Sequence, residues 1–154
     1  MPTLLQRPFG AAQHHAGGLL SFPASGVLRY MVALFQNGVT FVGNSGLIPG
    51  VPFQPAKPGD SITAYGIGFG AVTPAIAPGV VVGGQNSIPN LTISFGATPA
   101  TLTYAGLAPG NIGLYQFNIT VPQVANGDYQ INVIVDGCRV RFRGACVTPG
   151  SPRC

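Results

Sequence analysis

The sequence predicts an all-β protein, an immunoglobulin-like antiparallel β-sandwich of about seven short strands. Charged residues make up only 6% of the 154 residues, hydrophobic residues 46%, and 23 Gly and 15 Pro punctuate the chain. Disordered chains are rich in charge and poor in aromatic and β-branched residues, whereas here Val, Ile, Thr, Tyr and Phe recur between turn residues. The decisive observation is alternation. Leu91, Ile93 and Phe95 alternate with Thr92 and Ser94; Ala100, Leu102 and Tyr104 with Thr101 and Thr103; Tyr115, Phe117, Ile119 and Val121 with Gln116, Asn118 and Thr120; Tyr129, Ile131, Val133 and Val135 with Gln130, Asn132 and Ile134. A period of two gives each segment one apolar and one wet face, the pattern of antiparallel sheets packed through one side.

Residues 28–143 are expected to form one sandwich domain, with 1–27 a poorly structured N-terminal tail and 144–154 a C-terminal tail carrying cysteines. The first element in order is a hairpin. Leu28 to Phe35 and Val39 to Val42 flank Asn37-Gly38, a dipeptide suited to the positive φ angles of a type I′ turn. Asn44 to Asp60, interrupted by Pro49, Pro52, Pro55 and Pro58, is expected to be a long surface connection. Ser61 to Tyr65 then forms a short strand, and Ala71 to Pro89 a second Pro/Gly-rich loop. Between them, Gly66, Gly68 and Ala71 match a dinucleotide-binding G-x-G-x-x-A. Pro74, Pro78 and Gly79 forbid the helix that motif must open, and no acidic residue occurs between Asp60 and Asp128 to hold a ribose. The glycines are read instead as a bend that turns Phe69 inward as a plug. The expected core is Phe69, Phe95, Leu102, Tyr115, Phe117, Ile119, Ile131 and Val133.

PAKPGD (55–60), YGIGFG (65–70) with Thr73-Pro74, FGATPATLTYAGLAPGNIGLYQFNITVP (95–122) and NGDYQINVIVDG (126–137) together resemble the Solibacter-type C-terminal domain family. Its GFG element is similar to that of IPT/TIG immunoglobulin-like domains. The resemblance covers about Tyr30 to Gly137. It implies an extracellular or cell-envelope sandwich within larger secreted bacterial proteins, without an established activity, so it assigns no site residue. The chain departs from the family at its end, DGCRVRFRGACVTPGSPRC, where an apolar last strand is usual.

That end carries the unusual chemistry. Arg139, Arg141 and Arg143 alternate with Val140 and Phe142, so a strand would line the three guanidinium groups on one face at roughly 6.6 Å spacing. They are a candidate contact for an acidic polymer and the main source of a net charge of +4. A solvated outer face or charge-guarded sheet edge is the simpler reading, because no aromatic platform accompanies them. Nucleic acid is not an expected partner. Cys138 and Cys146 are a candidate disulfide that would clip a terminal hairpin, leaving Cys154 for an intermolecular link.

Catalysis and metal binding find little support. Asp60, Asp128 and Asp136 each adjoin a glycine at a strand end, where Asp serves turns, and the histidines, His14 and His15, are adjacent in the N-terminal tail. No cofactor is expected, no apolar run is long enough to span a membrane as a helix, and the N-terminus lacks the pattern of a signal peptide. The expectation is a non-catalytic interaction module, binding protein or carbohydrate through the loops Asn44–Asp60 and Ala71–Pro89. The alternative is an assembly element that joins chains by strand addition.

Overall fold

The computed structural model describes residues 18–22, 30–140 and 145–147, and every regular element among them is a strand. In chain order these are β1 (Gly18–Leu19), β2 (Ala33–Phe35), β3 (Phe41–Val42), β4 (Phe53–Gln54), β5 (Ser61–Ile67), β6 (Leu91–Phe95), β7 (Thr98–Pro99), β8 (Thr101–Leu107), β9 (Tyr115–Thr120), β10 (Gly127–Tyr129), β11 (Ile131–Val135), β12 (Cys138–Val140) and β13 (Ala145–Val147). One sheet runs β4-β3-β2-β5-β9-β8, with β1 also on β5; a second runs β12-β11-β6-β7; β10 and β13 form a separate pair. The inward side chains of the two larger sheets join in one hydrophobic core. The all-β expectation therefore holds, in a sandwich-like arrangement.

The strands outnumber the seven expected because segments read as tails or loops supply β1, β4, β7 and β13, and because the alternating stretch Tyr129–Val135 divides at Gln130, with β10 and β11 pairing into different sheets. Pro99, which has no N–H to give, ends β7 at a sheet edge, and β8 begins two residues later in the other sheet. The pairing is antiparallel except for β3 with β4, where Phe41 lies beside Phe53 and Val42 beside Gln54. That pair also corrects the reading of Asn44–Asp60 as connection alone. Phe53 is buried, and its ring stands 5.2 Å from Phe22 and 5.6 Å from Phe41, an aromatic cluster that draws the segment onto the sheet edge.

The hairpin at Asn37-Gly38 forms, with Leu34 opposite Phe41. Its turn is not type I′: of the two central residues only Gly38 has positive φ (68°). The Gly38 N–H donates to the Phe35 carbonyl, while Asn37 Oδ1 accepts from the Val39 and Thr40 amides. The asparagine thus ties down a longer loop rather than entering the left-handed region itself. A two-residue turn with both residues at positive φ occurs instead at Asp136 (49°) and Gly137 (78°), joining β11 to β12.

β5 and β9 are the centre of the larger sheet. Ile62, Ala64 and Gly66 face inward opposite Ile119, Phe117 and Tyr115, while Ser61, Thr63 and Tyr65 face out. Gly66 is required there, because a Cβ would lie 2.7 Å from the Gly18 carbonyl and 2.5 Å from the Phe69 ring. Phe69 is wholly buried, edge-on to Phe117 at 4.8 Å and to Tyr115 at 5.4 Å. This is the plug expected of the glycine-rich bend, and no helix follows it. Phe95, Tyr115, Phe117, Ile119, Ile131 and Val133 are buried as expected. Leu102 is only partly buried, since β8 ends its sheet and bulges at the next residue.

The fold also takes in residues assigned to the tails. Leu19 is buried with β1 paired to Ile67 and Gly66 of β5, so the first sheet begins ahead of the expected boundary at residue 28. At the other end β13 pairs with β10.

Candidate functional site

The loop Ala71–Pro89 reaches from one end of the sandwich to the side of β8, and its backbone is tied down along its length. Thr73 and Ser87 form a bridge, with both amides donating across it (2.8 and 2.9 Å). The Ile88 amide donates to the Ala105 carbonyl. Asn86, a buried polar residue, completes the attachment. Its Oδ1 accepts from the Leu107 amide at 2.6 Å and its Nδ2 donates to the Leu107 carbonyl at 3.1 Å. One side-chain amide thereby replaces the peptide unit of a missing edge strand. Gly106 lies beneath it, where a Cβ would overlap the Asn86 carbonyl.

The tip of this loop meets the turn that follows β8. The Val82 amide donates to the Asn111 carbonyl and the Gly110 amide to the Val82 carbonyl, so the two segments hold each other in place. Val82 is buried, but Val80, Val81 and Ile112 beside it are half or more exposed, at 50%, 56% and 56%. Next to them opens a cleft of about 560 Å³, whose walls include Val72, Ile76, Pro78, Val80, Leu107 and Tyr115. Among the described residues of those walls, Tyr115 is the one ionisable side chain. Its hydroxyl donates to the Gly70 carbonyl, and burial pushes its pKa above the ordinary tyrosine value. The cleft therefore offers aliphatic surface and glycine backbone, with its phenol already engaged.

Arg139 lies on β12 opposite Ile134, whereas Arg141 and Arg143 lie outside the described residues. Cys138 stands opposite Val135 on β12 and Cys146 opposite Asp128 on β13. These strands pair into different sheets, β12 with β11 and β13 with β10, and not with each other as the two arms of the expected terminal hairpin would. The side chains of Cys138 and Cys146 are outside the description, as are His14, His15 and Cys154 entirely.

Asp60 and Asp136 serve turns, whereas Asp128, expected to do the same, lies within β10 opposite Cys146. Asp60 Oδ2 accepts from the Lys57 amide at 2.7 Å, and Asp136 Oδ1 accepts from Asn90 Nδ2 at 2.9 Å, tying together two non-glycine residues at positive φ. Among the described residues no group of His, Cys, Asp and Glu is placed to hold a metal, and no helix is long and apolar enough to cross a membrane.

Sequence reasoning missed Asn86 and the exposed Val80, Val81 and Ile112. The aliphatic run GVVVGG (79–84), set among loop residues where no strand can bury it, is the one signal that could have flagged the tip; Asn86 carries none, since asparagine is ordinary in a loop. Comparison of the chain with protein-family models, with curated proteins and with solved structures finds no match in any of the three.

Proposed function

We propose that the chain is a non-catalytic interaction module with an immunoglobulin-like sandwich scaffold, part of an extracellular or cell-envelope protein as its family resemblance implies, and that it binds another protein through the tip of the loop Ala71–Pro89. The observation that carries this reading is the group of exposed aliphatic side chains, Val80, Val81 and Ile112, on two segments locked by mutual backbone hydrogen bonds. Exposing such side chains costs solvation free energy, and pre-ordering their backbone removes an entropy cost from binding. The adjoining cleft, lined by aliphatic residues and by a tyrosine whose hydroxyl is spent, suits an apolar peptide side chain better than a sugar. Of the two expected loops, Asn44–Asp60 contributes less, since Phe53 and Ala56 within it are turned into the core.

Selection of a random peptide display library on the immobilised chain tests this. Peptides with an aliphatic or aromatic anchor are expected to be enriched on the parent and to lose binding to the Val81→Asp/Ile112→Asp variant, whose melting should match the parent because both residues are exposed. No enrichment, or equal binding to the variant, defeats the reading.

Assembly by strand addition is the second reading. Its support is that β12 ends the four-stranded sheet, whereas β8, which ends the larger sheet, is already covered at Ala105 and Leu107 by Ile88 and Asn86. It predicts oligomers that grow with concentration, read by light scattering.

A further inference from the structure

The outer face of the larger sheet, remote from the core, is built differently from the loop tip. Register places Gln116 beside Tyr65, Asn118 beside both Thr63 and Tyr104, and Thr120 beside Ser61 and Thr101, all on the side away from the core. No Asp, Lys or Arg lies on these stretches of β5, β8 and β9. The two amides are held in place: Asn118 Oδ1 accepts from Gln116 Nε2 at 2.9 Å and from Thr63 Oγ1 at 3.3 Å. Among the described residues none takes up the Asn118 Nδ2 hydrogens or Gln116 Oε1, so the pair keeps donors and an acceptor to offer in the middle of the sheet. Tyr65 and Tyr104 stand diagonally on either side of this amide pair, two strands or roughly 10 Å apart across the sheet.

We propose that this face is a binding site for a neutral polysaccharide, with Gln116 and Asn118 hydrogen-bonding sugar hydroxyls and the Tyr65 and Tyr104 rings supporting sugar faces. The argument is one of matching. Covering amides and hydroxyls is favourable only if each regains a partner, and an apolar protein surface would leave them unpaired. A polyol offers a donor and an acceptor at every hydroxyl. It also brings apolar C–H surface to an aromatic ring, which amphipathic tyrosines accept. The described stretches of β5, β8 and β9 offer an acidic polymer no cation to pair with, which favours a neutral one.

The test is native affinity electrophoresis of the full chain through gels holding soluble neutral polysaccharides, namely a mixed-linkage β-glucan, a xylan, a galactomannan and an α-glucan, beside gels holding carboxylated alginate. Retardation by at least one neutral polymer and not by alginate is expected. The Gln116→Ala/Asn118→Ala variant should lose at least tenfold in affinity, and Thr120→Lys, which plants a charge on the face while leaving the amides, should do the same. Circular dichroism melting shows whether each variant is folded, and failure of one leaves the other as the test. Val81→Asp should bind the polymer as the parent does, which separates this site from the loop tip. Mobility unaffected by all four neutral polymers overturns the proposal, as does retardation that survives both face variants. So does a concentration-dependent dimer abolished by Thr120→Lys, which would assign the face to a second copy of the chain.

Discussion

Replacing Asn86 with alanine removes the side chain that stands in for an edge strand along the upper half of β8. The Leu107 carbonyl would keep a partner, since the Tyr104 hydroxyl also donates to it at 2.7 Å. The Leu107 amide would not, because its acceptor is Asn86 Oδ1, and Leu107 is buried. An orphaned buried amide costs about 1–3 kcal/mol, and the bonds from Nδ2 to the Leu107 and Gly84 carbonyls add about 1 kcal/mol more. The expected loss is therefore about 2–4 kcal/mol, or about 5–15 °C in Tm for a chain of this size. Urea unfolding measures it, with the m value unchanged if the variant still folds fully. Hydrogen exchange locates it: the Leu107 amide should lose protection while the amides of β5 and β9 keep theirs. Ser87→Ala, which removes one long exposed bond to the Thr73 carbonyl, is the control and should stay within about 0.5 kcal/mol of the parent. A loss below about 0.5 kcal/mol for Asn86→Ala, or a Leu107 amide that remains protected, would refute the claim that this side chain caps the sheet.

Phe117→Ala empties the centre of the core, where the ring is fully buried against Phe69, and should cost about 3–5 kcal/mol in denaturant unfolding; a variant that melts like the parent would place the core elsewhere. Tyr115→Phe should change the alkaline limb of stability. Burial raises the folded-state pKa of Tyr115 above the ordinary tyrosine value of about 10, so the unfolded chain loses this proton first, and stability falls as pH climbs past that value and through the folded pKa. Thermal melts between neutral pH and pH 11 should show a steeper decline in the parent than in Tyr115→Phe, and parallel declines would mean that the phenol is not desolvated.

Much of the fold was legible because alternation is a local property. A residue's inward or outward side on β5, β6, β9 and β11 follows from its neighbours two positions away, so Phe95, Phe117, Ile119, Ile131 and Val133 declare themselves. Phe69 was legible for a different reason, since the glycines around it permit only a bend and a large aromatic there has one good place to go. Where the reading failed, the cause was a contact between distant parts of the chain. Phe53 becomes a strand residue only because Phe22 and Phe41 await it, and Leu102 loses burial only because β8 lies at an edge. The same holds for the surfaces. The aliphatic run at Val80–Val82 is visible in the sequence, but its exposure depends on Val82 being tied to Asn111 and Gly110.

By itself the sequence determined the composition, the all-β character, the alternating faces and the glycine-rich bend, since each follows from side-chain chemistry and backbone sterics over a few residues. Tertiary structure decided the rest: which strands pair, that Asn86 completes an edge, that Val80, Val81 and Ile112 meet at one tip, and that Tyr65, Tyr104, Gln116 and Asn118 share one uncharged face. The pairing of β5 with β9 alone sets Ser61 beside Thr120, far apart in the chain, and strand register fixes the face of every side chain on those strands at once.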